Sequence, residues 1–165
     1  MSALWIVVAS LQLADIPPAY RTAARDADAP AAVLYAIALT ESGRQTAVGR
    51  RPWPWTLNVA GRGLYFANRS SAWRQLQRTF AAHRNVDIGL MQVSWRYHST
   101  TLRSTWHALD PQWNLSVGAR ILRRCFEERR TWAEAVGCYH APNNSARANA
   151  YRQRVARALA RLMAQ

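Results

Sequence analysis

One carboxylic acid stands where it could do acid–base chemistry: Glu41, near the end of the apolar run AAVLYAIALTESG. Counting back from Glu41 in helical steps reaches only apolar residues, so we predict that it continues the apolar face of a helix. Burial disfavours the charged carboxylate and so raises its pKa, which suits a general acid that releases a proton near neutral pH. The plainer interpretation is a last-turn glutamate that faces solvent or pairs with Arg44.

The helix that would carry Glu41 has marked boundaries. Pro30 stands where a first helical residue is expected, and Gly43 falls just past the natural end. The sequence therefore predicts a helix from about Ala31 that places Glu41 in its last turn.

An irregular segment follows this helix, and a further helix comes after it. Prolines and glycines in residues 44–68 favour turns and short extended pieces. We predict a helix capped by Ser71 that runs to about His83. We expect Asn85–Ser94, which is short and apolar, to form a strand or a buried loop.

The C-terminal part of the sequence is predicted to form three helices. Asp110-Pro111 opens the first, in which Gly118 would admit another backbone. The capping box Thr131–Glu134 opens the second, which runs to roughly Tyr139, and the last carries an apolar face beginning at Tyr151. With a lead-in of about one helical turn over residues 15–29, the predicted fold is a single, mainly α domain with a small extended insert.

The chain is strongly basic. Its 165 residues hold 22 Lys+Arg, all of them arginine, against 9 Asp+Glu, for a formal charge of +13. Such a surface attracts nucleic acid, anionic lipid or an acidic cell-wall glycan without choosing among them. Because the arginines are scattered and no nucleic-acid-binding motif is present, we expect no specific nucleic acid partner.

Two features bear on the compartment. Residues 1–14 contain an apolar run too short for a membrane span but of the length of a signal-peptide core, so we predict a signal peptide. The alternative is an N-terminal core helix that includes Trp5. Cys125 and Cys138 would form a bridge between neighbouring helices or remain two buried thiols, and the sequence leaves both open.

Three separated motifs occur in a distinctive order: Glu41-Ser42 at a helix end, the segment Gly89–Gln92 (Gly-Leu-Met-Gln), and Tyr139 near the end of a capped helix. Together they resemble the soluble lytic transglycosylases over about residues 30–162. The resemblance implies a lysozyme-like (α+β) transglycosylase domain over residues 15–165.

By that resemblance the chain cleaves the β-1,4 bond between N-acetylmuramic acid and N-acetylglucosamine and forms 1,6-anhydromuramoyl ends. Glu41 would be the catalytic acid and base. The residues that would bind substrate are Ser42, Met91, Gln92, Tyr139 and His140. Peptidoglycan strands would be the partner, the periplasm or cell envelope the location, and neither metal nor cofactor is expected.

The chain departs from the family pattern at two places. His140 follows Tyr139 where asparagine is usual. The segment between Glu41 and Gly89 is long, similar to that of small transglycosylases linked to conjugation or secretion, which implies an envelope-spanning apparatus as a partner. We expect Asp87 in this segment to serve a turn or cap.

The aromatic residues of the insert have two interpretations, packing of their own loop or contact with a sugar or peptide stem. We predict packing for most of the set Trp53, Trp55, Tyr65 and Phe66. Trp95 and Tyr97, just after Gln92, are better placed to touch glycan.

Three alternative functions remain at this point. A lysozyme-type hydrolase of the same fold would leave reducing ends. A basic nucleic-acid-binding module or an inactive wall-binding protein would cleave nothing.

Overall fold

The chain is mainly helical with a small amount of antiparallel sheet, as the sequence predicts. The structure is a computed structural model that describes residues 16–164. It is 62% helical, with eight helices and a small sheet, which confirms the mainly α, lysozyme-like class. The described residues group into two compact units, one of residues 16–40 with 119–164 and one of Glu41–Gly118. The predicted signal peptide over residues 1–14 lies outside the described residues.

The first unit contains helices from both ends of the chain. They are α1 (Pro18–Asp26), α2 (Ala31–Ser42) up to Thr40, α6 (Pro111–Arg129) from Ala119, α7 (Trp132–His140) and α8 (Ser145–Met163). Helix α1 is longer than the single turn predicted, because Tyr20 and Ala24 on one face are buried and anchor it.

Helix α2 is buried on every side over Ala32–Ala38. A helix that is apolar on all sides has no polar face for solvent, so it lies in a core. The predicted boundaries are confirmed: the helix begins at Ala31, where Leu34 N–H donates to the Pro30 carbonyl at 3.1 Å, and ends at Ser42.

Cys125 in α6 and Cys138 in α7 form a disulfide with a Cα–Cα distance of 5.7 Å. This selects the first of the two alternatives that the sequence left open. One turn before Cys138, Glu134 of α7 forms an ion pair with Arg152 of α8. Helix α7 is thus linked to both α6 and α8.

The second unit carries the strands of the insert. β1 (Gly43–Thr46) and β2 (Gly49–Pro52) form a hairpin. β3 (Thr56–Val59), β4 (Arg62–Tyr65), β5 (Val86–Ile88) and β6 (Val93–Ser94) form an antiparallel sheet in the order β4-β3-β5-β6. The β3–β4 turn is Ala60-Gly61, with φ of 51° and 83°, as two-residue hairpin turns of the primed types require.

Three further helices precede α6 in this unit: α3 (Arg69–Phe80) lies between β4 and β5, and α4 (Trp95–Leu102) and α5 (Thr105–Ala108) follow β6. The predicted cap of α3 is wrong by three residues, since Asn68 Oδ1 accepts from Ser71 N–H at 2.9 Å. Helices α4 and α5 were not predicted from the sequence. Among residues 16–164, no helix has the length and hydropathy that a membrane crossing requires.

Candidate functional site

Glu41 lies in the last turn of α2, where the buried part of the helix gives way to the surface. Its side chain is half-buried, which lies between the two alternatives that the sequence left open, burial with the apolar face and exposure to solvent. The hydroxyl of the preceding residue, Thr40, donates to the Ala36 carbonyl one turn back in the same helix at 2.8 Å. The carboxyl group therefore has a rigid apolar helix behind it and remains accessible.

Ser42 ties the end of this helix to a distant part of the chain. The residue is completely buried, and its hydroxyl donates to the Leu90 carbonyl at 2.7 Å. Its own carbonyl accepts from Trp53 N–H at 3.0 Å. The residue beside Glu41 is thus held by the Gly89–Gln92 segment on one side and by the insert on the other.

Residues Gly89–Gln92 form the tight turn between β5 and β6. Gly89 has φ of +81°, which favours glycine, and its N–H donates to the Thr56 carbonyl at 2.8 Å. The side-chain amide of Gln92 donates to the carbonyls of Gly89 at 2.9 Å and Thr56 at 3.2 Å. Because Gln92 itself has φ of +45°, these bonds hold a backbone conformation that few non-glycine residues adopt.

Asn114 organises this turn from within α6. The side chain is fully buried, and its Nδ2 donates to the carbonyls of Ile88 at 2.8 Å and Ala108 at 3.0 Å. Its Oδ1 accepts from Met91 N–H at 2.9 Å. No role for Asn114 was predicted from the sequence. The signal that could have identified it is an amide on the inward side of an amphipathic helix, since buried polar groups need hydrogen-bond partners.

Close packing fixes the same turn sterically. A Cβ added to Gly118 would lie 2.6 Å from Met91 Cγ, and one added to Gly89 would lie 2.5 Å from Asn114 Cγ. The expectation that Gly118 admits another backbone is therefore wrong: it admits the fully buried Met91 side chain. Glycine at both positions lets α6 lie directly against the turn.

Aromatic rings and a guanidinium surround the start of the insert. Trp53 packs edge-on against Trp55, and its indole N–H donates to the Phe66 carbonyl at 2.7 Å. The Arg44 guanidinium lies over the rings of Trp53 and Tyr65, with Cζ 5.0 Å and 5.8 Å from their centroids. The contacts of Trp53 agree with the predicted packing within the insert.

The later aromatic pair divides into a packed ring and an exposed one. Trp95 is half-buried, with its ring 5.2 Å from that of Phe80. Tyr97 is 73% exposed and lies beside the Arg96 guanidinium. Of the two, Tyr97 is the one that a ligand in solvent can reach.

The unit Glu41–Gly118 contains two further acidic residues, and both have structural contacts. Asp110 accepts from Trp113 N–H at 2.9 Å at the start of α6 and pairs with Arg69 at 3.3 Å. Asp87 lies within β5 opposite Asn58, whose amide donates to it at 3.5 Å. The prediction of a turn or cap role for Asp87 is wrong, since it is a strand residue.

The remaining two predicted site residues belong to the first unit. Tyr139 is half-buried near the end of α7, and His140, the last residue of that helix, is exposed. The His140 ring stacks on the ring of the buried Tyr151, with centroids 4.3 Å apart. The structure thus brings Glu41-Ser42 and Gly89–Gln92 together in one unit and places Tyr139 and His140 in the other.

Over residues 16–164, no group of three or more His, Cys, Asp or Glu side chains could hold a metal ion.

Comparison with known proteins identifies one family. The model described as "Transglycosylase SLT domain" matches residues 19–160, well over half of the chain. The match includes Glu41, Ser42, the Gly89–Gln92 segment, Asn114 and the Tyr139-His140 pair. No curated protein and no solved structure was found to match.

Proposed function

Because the chain belongs to the transglycosylase SLT domain family, whose members act on peptidoglycan, we propose that it cleaves the β-1,4 bond between N-acetylmuramic acid and N-acetylglucosamine and leaves 1,6-anhydromuramoyl ends. One observation carries the proposal: Glu41 ends a buried helix half-exposed, and the hydrogen bond from Ser42 to Leu90 joins that helix end to the Gly89–Gln92 turn. An acid at a helix end that is held in this way has the fixed position that proton transfer needs.

In the proposed reaction Glu41 acts twice. Its carboxylic acid protonates the glycosidic oxygen as the bond from that oxygen to C1 of N-acetylmuramic acid breaks. The carboxylate so formed takes the proton of the C6 hydroxyl of the same sugar as that oxygen bonds to C1. Both protons are accounted for, Glu41 regains its acid form, and no water is consumed.

The contacts of the other acids in this unit support a mechanism with one carboxyl group. A conventional glycosidase uses a second carboxylate as nucleophile or as base for water. Asp110 is engaged in a helix cap and an ion pair, and Asp87 lies in a strand with Asn58 opposite. These contacts favour internal attack by the C6 hydroxyl over hydrolysis by a lysozyme-type enzyme.

The burial of the other proposed site residues divides their roles. Ser42 and Met91 have no exposed surface, so we propose that they position Glu41 and the turn rather than touch a sugar. Gln92 is half-buried, and we propose that it lines the glycan groove. For Tyr139 and His140 the proposed contact with substrate or with Glu41 rests on the resemblance alone.

We further propose that the protein works in the periplasm or cell envelope, since the Cys125–Cys138 disulfide suits an oxidising compartment. The association with an envelope-spanning secretion or conjugation apparatus is a proposal that rests on the long segment between Glu41 and Gly89.

The test is mass spectrometry of the soluble products that purified protein releases from peptidoglycan. Wild type is expected to release anhydro-muropeptides, and Glu41→Gln to release about a hundredfold less or lower still, because general acid catalysis contributes roughly 10²–10⁴-fold. Glu128→Gln is the matched control, since Glu128 is exposed and lies in the other unit. Reducing-end products would identify a hydrolase instead, and equal activity of Glu41→Gln and wild type would refute the role of Glu41.

A further inference from the structure

We propose that Arg44 binds free carboxylates of the peptide stems that peptidoglycan carries, and that this contact makes the protein prefer peptide-bearing glycan over bare glycan. The inference rests on the proposed function, since it names a part of the substrate that the same site would recognise.

Two aromatic rings present the guanidinium of Arg44 to a ligand. Cζ lies over the rings of Trp53 and Tyr65 at 5.0 Å and 5.8 Å from their centroids. Trp53 is itself fixed, because its main-chain N–H donates to the Ser42 carbonyl and its indole N–H to the Phe66 carbonyl. Rings that cover the faces of a guanidinium leave its N–H edges free to bind a carboxylate in bidentate fashion.

Among residues 16–164, no carboxylate pairs with this group. Arg44 is exposed, and it forms no ion pair with any acidic residue of the part that the structure describes, whereas Arg69, Arg123 and Arg152 each have an acidic partner. A charge that is held by rings and pairs with no acid in the described part of the chain suits an anionic ligand.

The strand register gives an independent reason. Arg44 of β1 lies directly opposite Arg51 of β2, and like charges in directly opposed positions destabilise a hairpin. Arg51 donates to the Arg50 carbonyl at 3.2 Å, and its guanidinium lies near Gly49 at the other end of the strand. The Arg51 guanidinium thus adds a second positive charge to the hairpin without occupying the place of a ligand on Arg44, and a bound carboxylate would offset part of that charge.

Proximity to Glu41 selects the stem peptide as the occupant. Arg44 is the third residue after Glu41, so their Cα atoms are at most about 11 Å apart. The stem is attached to the lactyl group of N-acetylmuramic acid, the sugar whose C1 would react with Glu41. A stem on the reacting sugar or its neighbour therefore reaches the region of Arg44.

The experiment compares two substrates: peptidoglycan strands with their stems, and the same strands after an amidase has removed the stems and left only the lactyl carboxylate. For wild type, Arg44→Gln and the control Arg62→Gln, we would measure the ratio of kcat/KM on stem-bearing strands to kcat/KM on bare strands. Arg62 is an exposed arginine of β4, so its replacement removes the same charge from the same unit. Thermal melting would establish that each variant is folded.

We expect Arg44→Gln to lower the ratio about tenfold and Arg62→Gln to leave it within about twofold, since a hydrogen bond to a charged group accounts for roughly a factor of ten or more. An equal loss on both substrates would overturn the proposal, because it would mean a structural role or a contact with sugar. A loss on bare strands alone would assign Arg44 to the lactyl carboxylate and would also overturn it.

Binding provides a readout that does not need the reaction. In the Glu41→Gln background, Arg44→Gln is expected to weaken binding of a soluble stem-bearing fragment about tenfold relative to Arg62→Gln. If wild type cleaves neither substrate, the proposed reaction fails, while this binding comparison still decides the role of Arg44. Equal binding by the two arginine variants would refute that role.

Discussion

Replacing Asn114 by leucine is expected to lower the free energy of unfolding by about 4 kcal/mol. The Asn114 side chain has no exposed surface and makes three hydrogen bonds, to the carbonyls of Ile88 and Ala108 and from the N–H of Met91. Leucine has a similar volume but cannot form these bonds. Two carbonyls and one N–H would then be buried without a hydrogen-bond partner, and each such group costs about 1–3 kcal/mol of stability. Burial of the apolar leucine side chain offsets about 2 kcal/mol of this loss of stability.

Urea denaturation followed by tryptophan fluorescence measures this loss, since the chain contains eight tryptophans. Gln112→Leu makes the same chemical change at an exposed position of the same helix and is expected to alter stability by no more than about 0.5 kcal/mol. If Asn114→Leu loses no more than the control, the reasoning about buried partners is wrong.

The same substitution is expected to reduce cleavage of peptidoglycan at temperatures where the variant remains folded. Met91 N–H would lose its acceptor, so the Gly89–Gln92 turn would be less firmly held. The bonds from Gln92 to Thr56 and from Ser42 to Leu90 depend on the position of that turn. A variant that is less stable but turns over at the wild-type rate would show that Asn114 stabilises the fold without positioning the site.

Three further predictions follow from packing, covalent structure and burial. Gly118→Ala is expected to cost about 1–3 kcal/mol of stability in denaturant titrations, because its Cβ would lie 2.6 Å from Met91 Cγ. Reduction of Cys125–Cys138, which are 13 residues apart, is expected to cost about 3 kcal/mol and to lower the melting temperature in dithiothreitol. Burial raises the pKa of Tyr20 above its ordinary 10.0, so the unfolded chain loses that proton first and stability falls as pH rises through about 10, which melting curves of wild type and Tyr20→Phe would show.

Each of these predictions has a matched comparison. Gly63→Ala should be nearly neutral, because a Cβ there would meet Tyr65 at an ordinary 3.7 Å, and equal losses at Gly63 and Gly118 would contradict the steric argument. A Cys125→Ala/Cys138→Ala double variant should show no shift in dithiothreitol. Tyr97→Phe, at a residue 73% exposed, should keep the alkaline loss of stability that Tyr20→Phe reduces, and identical profiles would exclude Tyr20 as its source.

Local signals in the sequence were sufficient for much of the helical framework. Pro30 and Gly43 delimit α2, Asp110-Pro111 opens α6, and Thr131 caps α7 by accepting from Glu134 N–H. Such signals act over a single turn, so they can be read without knowledge of the fold. Helices α4 and α5 were not predictable in this way, because they are short and present only Leu102 and Ala108 as fully buried side chains.

By itself, the sequence determined which residues are candidates for the site and the order in which they occur, because a helix end and a short motif are properties of neighbouring residues. The tertiary structure decided what holds them. The bond from Ser42 to Leu90 joins residues 48 positions apart, and that from Met91 to Asn114 joins residues 23 apart. Neither pairing follows from periodicity or spacing, since each depends on which buried groups the packed helices and strands bring within hydrogen-bond distance.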